Sequence, residues 1–259
     1  MRLESIDAIV TSPPYGIGTV YSDCADNQPR NEYLRWTREW MMAAHRLLKP
    51  HGSFFLNISG KPSDPWIPLE VAMVAREFFQ LQNTFHWVKS IAIGEVTFGH
   101  YKPINSPRFV NDCCEYVFHF THQGDVPIQR KAIGVPYTDP SNLKRWSSSQ
   151  ENPLHCRGNC WYLPYTTRQT KNLHPAEFPI ELPLNCLKLH GVPESDIERS
   201  NFTCLDPFCG TGATMLACTR LGISGTGFDL SHSYLEEAVN RIRRDTGEWP
   251  EVVDYGATG

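Results

Sequence analysis

The stretch Phe202-Thr203-Cys204-Leu205-Asp206-Pro207-Phe208-Cys209-Gly210-Thr211-Gly212 decides the fold. A short apolar run meets an acid and a proline, then two glycines one residue apart. Ala213 to Leu221 follows with helical composition. Glycine at a strand-to-helix turn lets backbone approach a ligand with no Cβ in the way. The dinucleotide spacing Gly-x-Gly-x-x-Gly is absent, because Ala213-Thr214-Met215 follows Gly212. A nucleoside ligand without a pyrophosphate therefore suits the turn better. The next strand, Ile223 to Phe228, ends at Asp229, where an acid is placed to bind ribose hydroxyls. Asp206 is placed either to hold an ammonium by a charge-assisted hydrogen bond or to cap a helix terminus.

The rest of the chain alternates strand and helix. Ile6 to Val10 reads as a buried parallel strand stopped by proline. From Asn31 to Leu48, Thr37, Trp40, Met41, Ala44 and Leu48 recur at helical spacing, and Pro50 and Gly52 end the helix. Ser53 to Ile58 is the next strand and Leu69 to Phe79 the next helix. Phe85 to Ile93 and Glu115 to Thr121 read as antiparallel neighbours, with a loop from Gly99 to Asn111. Phe178 to His190 is a helix. Ser233-x-x-Glu236 has the pattern of a capping box for the last one. This alternation predicts an α/β fold with a doubly wound, mostly parallel, Rossmann-like sheet.

Thr11-Ser12-Pro13-Pro14-Tyr15 stands at the carboxyl end of the first strand. Its residue types suit a planar base carrying an exocyclic amino group. Such a nitrogen is a poor nucleophile because its lone pair is delocalised into the ring. Two acceptors on its two N–H groups return that pair to nitrogen. Ser12 Oγ and the Pro13 carbonyl can supply them, Pro14 helps fix the direction, and Tyr15 can stack on the base. An extended loop with a packed tyrosine is the plainer reading of these residues alone. In an open α/β sheet, ligands bind at strand carboxyl ends near the topological switch point. Strands Ile6–Val10 and Phe202–Leu205 are expected to be neighbours there, so the two motifs face one crevice.

A chain of 259 residues with 41% hydrophobic and 20% charged content fits one large domain, or one domain carrying an insert. The net charge of −4 excludes a generic polyanion binder, so any nucleic-acid surface must be local. No run is long and apolar enough to span a membrane, and Met1 to Asp7 has no leader pattern. Cytoplasmic localisation and no membrane partner are the expectation. Nine cysteines in such a chain argue for reduced thiols. His155-Cys156 with Cys160 lacks a completing pair, so no metal is expected.

These motifs, in this order, resemble the amino-methyltransferases of bacterial restriction–modification systems in their beta arrangement. There the Ser/Asp-Pro-Pro-Tyr motif precedes the recognition segment and Phe-x-Gly-x-Gly follows it. The resemblance rests on Thr11 to Tyr15, Arg46 to Gly52, Phe85 to Lys89, Glu115 to Phe120, His174 to Pro179, Asp206 to Gly212 and Phe228-Asp229. It implies a Rossmann-like methyltransferase sheet with S-adenosyl-L-methionine as cofactor. The cofactor would be held by Asp206, Pro207, Phe208, Cys209, Gly210, Thr211, Gly212, Asp229, His174 and Pro175. It also implies double-stranded DNA as substrate, with the target base flipped. Serine before Pro-Pro-Tyr resembles the cytosine-N4 members more than the adenine-N6 members, which remain the alternative. A cognate endonuclease and a monomer or homodimer are the implied partners and state. Family members carry a strand and an acidic turn before the catalytic motif, whereas only Met1 to Ser5 precede it here. Either Glu251-Val252-Val253-Asp254 supplies that strand, or the chain is short. The second case leaves open a catalytically impaired module that binds DNA or cofactor.

The resulting division is a catalytic half over 1–121, a target-recognition insert over 122–173 and a cofactor-binding half over 174–259. The insert is rich in Pro, Ser, Asn and aromatics and has no sustained period. Its Lys131, Arg145, Trp146, Arg157, Arg168 and Lys171 are candidates for DNA contact, among Tyr137, Trp161 and Tyr162. A solvated loop with a small aromatic cluster is the competing reading.

Overall fold

The computed structural model describes residues 1–19, 26–99, 104–138, 154–164 and 177–253. Among them, seven strands form the main sheet. These are β1 Ile6–Thr11, β2 Leu48–Ile58, β3 Gln80–Val88, β6 Cys114–Thr121, β9 Cys160–Tyr162, β10 Thr203–Asp206 and β11 Ser224–Gly227. Their order across the sheet is β11-β10-β1-β2-β6-β3-β9. β1 pairs in parallel with β2 on one side and with β10 on the other, in the register Ala8↔Cys204 and Ile9↔Leu205. β10 in turn pairs in parallel with β11. β6 is antiparallel to both its neighbours. From β1 the chain crosses to β2, and from β10 it crosses to β11, in opposite directions. The carboxyl ends of β1 and β10 therefore flank the switch point, where ligands bind in sheets of this kind.

Alternation along the strands builds a core on each face of the sheet. Ile9, Phe54, Leu56, Phe118 and Phe120 pack with Met41 and Ala44 of helix α1 (Arg30–Leu47) and Val71 of α2 (Ile67–Ala75). Ala8, Val10, Phe55 and Val117 face the other way. They pack with Leu182, Cys186 and Leu187 of α3 (Glu181–His190), Leu216 and Ala217 of α5 (Ala213–Leu221), and Ile242 of α6 (His232–Thr246). A one-turn helix α4 (Asp196–Ser200), capped by Ser195, leads into β10. The doubly wound expectation holds.

Four details differ from the sequence reading. The expected strand Phe85–Ile93 divides after Val88. Ser90–Ile93 (β4) leaves the main sheet and pairs with Val96–Gly99 (β5) as a separate hairpin. The last helix starts at His232 with Ser231 at its N-cap, so Ser233 lies in the first turn rather than capping it. Glu251 to Val253 form no strand, and β11 has no partner on its outer edge among the described residues. Asp254 lies outside those residues. Finally, the insert enters the core. Besides a two-residue ladder of β7 (Val135–Pro136) with β8 (Leu154–His155), it adds β9 to the main sheet. Ile133, Trp161 and Leu163 are buried there. Trp161 is fully buried, stacks on Phe85 at 4.5 Å and donates its indole N–H to the Gly158 carbonyl. A flanking aromatic in a proline-rich segment carries no periodicity to mark it as core. Trp161→Ala is expected to cost about 3–5 kcal/mol in chemical denaturation. A loss below about 1 kcal/mol would show that the segment is not part of the cooperative core.

A buried polar chain crosses the sheet centre. His119 bonds Asn83 at 3.0 Å and Ser53 Oγ at 2.9 Å, and His190 reaches the same Ser53 Oγ at 2.8 Å. Burial, with a further push from His190, lowers His119 from 6.5 to about 3. The unfolded chain therefore binds the extra proton between those values. The stability contributed by neutral His119 is complete above about pH 6.5 and falls by about 1.4 kcal/mol per unit below it. Denaturation midpoints measured from neutral to acidic pH should show this slope, and His119→Gln should reduce it.

Candidate active site

The cofactor-type turn is held by its own acids. Asp206 ends β10 and is buried beneath the turn. Its Oδ1 accepts from Thr11 Oγ1 at 2.6 Å and from the Phe208 N–H at 3.1 Å. Its Oδ2 is buried with no hydrogen-bond partner among the described residues. Burial pushes Asp206 from 3.8 up to about 6, opposed by the Thr11 and Thr214 hydroxyls and the Phe208 N–H. Gly212 adopts φ +78° and lies against α6, where an added Cβ would meet Ala238 Cβ at 2.7 Å. Only glycine satisfies both demands. Asp229 accepts from the Gly210 N–H and the Ser231 N–H, each at 2.9 Å. Each of its oxygens keeps a second lone pair for an outside hydroxyl.

Across the crevice, the Ser-Pro-Pro-Tyr motif is fixed from behind. Tyr33 of α1 donates its hydroxyl to the Pro14 carbonyl at 2.9 Å. Ser12 is half-buried, and its Oγ lies 2.8 Å from Tyr15 Oη. Tyr15 Oη in turn donates to Glu115 Oε2 at 2.8 Å. Asn57 at the end of β2 donates its amide to the same Glu115 oxygen at 3.0 Å, and Lys89 Nζ bonds Oε1 at 3.0 Å. Burial works to lower the Lys89 ammonium, but the charge and hydrogen bond of Glu115 carry it above its ordinary value. Burial raises neighbouring Asp112. Tyr15 is therefore a buried side chain whose hydroxyl is anchored.

Both halves line one cavity, which includes Ser12, Pro14, Phe208, Cys209 and Asp229. The structure thus brings the Ser-Pro-Pro-Tyr motif and the glycine turn to one cavity, as the neighbouring strands require. It also adds residues that the sequence reading did not assign. Trp36 and Trp40 line the cavity and pack on Phe208 at 5.4 and 5.3 Å. With Tyr33 they form one stripe of α1, and that i, i+3, i+7 spacing was the available signal. Buried Asp26 accepts the Gly16, Ile17 and Thr19 N–H groups and shapes the loop after Tyr15. No local pattern marks it. Lys89 and Glu115 lay in stretches matched to the family, but without an assigned role.

Other expected residues are not brought to this place. Lys131 is exposed just past Gln129, whose N–H donates to the Leu189 carbonyl at the end of α3. That helix end feeds β10, so Lys131 stands at the end of the sheet opposite the crevice. Arg157 Nε is engaged by the Ile133 carbonyl at 2.9 Å. His174, Pro175, Arg145, Trp146, Arg168 and Lys171 lie outside the described residues. Of the stretch His174 to Pro179, Glu177 pairs with Arg241 and Phe178 is core.

The chain is similar to several known proteins. The chain is 29% identical over 246 residues to the type II methyltransferase M.HpaI of Haemophilus parainfluenzae, covering 92% of this chain and 68% of that one. It superposes on the PvuII cytosine-N4-specific DNA methyltransferase with a TM-score of 0.63 at 20% identity, covering 92% of this chain and 80% of the other. A DNA modification methylase of Thermus thermophilus, solved with S-adenosyl-L-methionine, gives 0.64 at 21% identity over 99% and 93% of the two chains. These likenesses show the shared α/β fold. Residues 6–240 match the N6/N4 methyltransferase family, described as DNA methylase, and the chain belongs to that family.

Proposed function

We propose that the chain methylates the exocyclic amino group of a flipped base in double-stranded DNA, cytosine N4 in the first place, using S-adenosyl-L-methionine. The observation that carries this reading is the Thr11–Asp206 hydrogen bond, which fixes the amine clamp beside the glycine turn. Ser12 in place of an acid favours cytosine, whereas a relative named a DNA adenine methyltransferase, 25% identical over 92% of this chain, favours adenine. Adenine N6 is the second reading, because the same clamp suits both amines. Relatives named type II methyltransferases support a place in a restriction–modification system, with an endonuclease of the same site as partner.

The residues present fit the cofactor. The unpartnered Oδ2 of Asp206 is the acceptor an ammonium needs, Asp229 can take ribose hydroxyls, and the Gly210–Gly212 backbone can lie close to the ligand. When bound, the cofactor supplies a methyl group made electrophilic by a sulfonium. Ser12 Oγ and the Pro13 carbonyl accept the two amino hydrogens, and the target nitrogen becomes nucleophilic as its lone pair leaves the ring. Tyr15 gives the base a fixed aromatic wall, since its hydroxyl is anchored. Basic residues of the 122–173 insert are proposed to hold DNA phosphates, with Lys131 and Arg157 the weakest of them for the positions just described.

Incubation with labelled cofactor and duplex DNA, followed by nucleoside analysis, is expected to yield N4-methylcytosine. N6-methyladenine would replace the cytosine reading, and cofactor binding with no transfer would leave a binding module. Ser12→Ala should lower turnover by about 10²-fold with cofactor affinity retained. Unchanged turnover would remove Ser12 from the clamp.

Asp206 gives a pH test with a definite sign. Its free-protein value of about 6 lies above the unfolded 3.8, so stability falls as pH rises from about 3.8 to about 6, and the cost is complete above that. Cofactor binding runs the other way, because the ammonium needs the ionised form. Calorimetric affinity for S-adenosyl-L-methionine should fall towards about tenfold per pH unit below about 6. Asp206→Asn should bind weakly at every pH with no such slope. A steep slope retained in that variant would assign it to another group.

A further inference from the structure

The hydrogen bonds behind Ser12 do more than hold the motif in place. Glu115 accepts from Tyr15 and Asn57 at Oε2 and from Lys89 at Oε1, the pattern of an ionised carboxylate, which can only accept. Tyr15 has one hydroxyl hydrogen, directed to Glu115 Oε2 at 2.8 Å with Asn57 Oδ1 a more distant acceptor at 3.3 Å, and in neither case towards Ser12. The 2.8 Å contact between Ser12 Oγ and Tyr15 Oη must therefore run from Ser12 as donor to Tyr15 as acceptor. Ser12 is left with lone pairs towards the crevice, which is the role a clamp on an amino group requires. The order Ser12–Tyr15–Glu115 is a continuous donor-to-acceptor chain leading from the crevice to a carboxylate balanced by an ammonium.

We propose that Ser12, Tyr15 and Glu115 form a proton relay that carries the proton lost by the target amine to Glu115. This rests on the amino-methyltransferase reading above. As the target nitrogen bonds to the methyl carbon, the carbon–sulfur electron pair stays on sulfur and the nitrogen becomes cationic. One N–H proton passes to Ser12 Oγ, and its bonding pair returns to nitrogen. The hydroxyl proton of Ser12 moves to Tyr15 Oη, and that of Tyr15 moves to Glu115 Oε2. The product amine, both hydroxyls and the carboxyl group end neutral. The Glu115 side chain retains 11% exposure, through which it returns the proton to solvent. Positive charge grows on nitrogen in the transition state, so an ionised chain end stabilises that state more than the ground state. Asn57 contacts the same groups but carries no titratable site. The charged or titratable groups facing Glu115 are Tyr15, Lys89, Asp112 and Cys114. Of these, Lys89 and Asp112 set the local charge around the carboxylate. Glu115 acts through Tyr15 and Ser12 and is a positioning residue in contact with neither substrate nor cofactor.

The test is single-turnover methylation of duplex DNA by the full chain, followed across pH in Glu115→Gln, Tyr15→Phe and the double variant. The glutamine keeps an acceptor for Tyr15 but cannot take a proton in this range. The phenylalanine keeps the aromatic wall and the Lys89–Glu115 pair while cutting the chain. Each single variant is expected to lose about 10²-fold in rate. The double variant should lose no more than the worse single, with cofactor affinity unchanged. The acid limb of the rate profile should flatten in Glu115→Gln, an effect that a purely structural role would not produce. A wild-type limb and rate retained in Glu115→Gln overturn the relay. If that variant does not fold, undiminished turnover in Tyr15→Phe overturns it equally. A wild-type chain that methylates no DNA amine refutes the underlying reading instead.

Discussion

The hydrogen bond from Thr11 Oγ1 to Asp206 Oδ1, 2.6 Å long and buried, joins residues 195 apart in sequence. It sits where two parallel strands end side by side, with Ile9 opposite Leu205 in register. Shifting β1 by one residue against β10 would turn Thr11 to the other face and remove the bond. The same shift would carry Ser12 and Tyr15 away from the glycine turn. Strand pairing, the Ser-Pro-Pro-Tyr motif and the glycine turn are thus one constraint, enforced at the point where the sheet's winding reverses. Thr214, in the first turn of α5, ties the same place again through the Val10 carbonyl at 3.4 Å.

Much of this was legible in the chain because the carriers of the fold are local. A Gly-x-Gly after Asp206, a Ser-Pro-Pro-Tyr after an apolar run and a 3.6-residue period over α1 each have a short-range cause. The elements and their parallel pairing followed. What escaped was set by long-range contact. Asp26 is buried because three backbone N–H groups of the preceding loop converge on it, and nothing in its neighbours announces this. Trp161 resembled a recognition aromatic until β9 paired with β3 and placed it on Phe85. The Ser233 pattern lost to Ser231 because the Asp229 carboxylate holds the Ser231 N–H and thereby sets where α6 begins.

The His119–Ser53–His190 chain shows how polar groups are tolerated at the centre of the sheet. Ser53 is fully buried and receives two imidazoles, and His119 also lies flat against Phe55 at 4.4 Å. Neutral imidazole can donate at one nitrogen and accept at the other, so such a chain satisfies its members without burying charge. The arrangement stays below the crevice, where two carboxylates, Glu115 and Asp206, stand in different surroundings.

Those carboxylates divide the work through their surroundings. Glu115 has each oxygen engaged and an ammonium beside it. Asp206 has one oxygen engaged and one buried without a partner, and its proton affinity is raised accordingly. A satisfied charge is suited to hold neighbouring groups in fixed directions. A buried unsatisfied one is costly in isolation and is relieved by a cation of the right size. The difference between them leaves the Ser-Pro-Pro-Tyr side of the crevice rigid. On the side of the glycine turn, a cation bound at Asp206 would add stability to the folded chain.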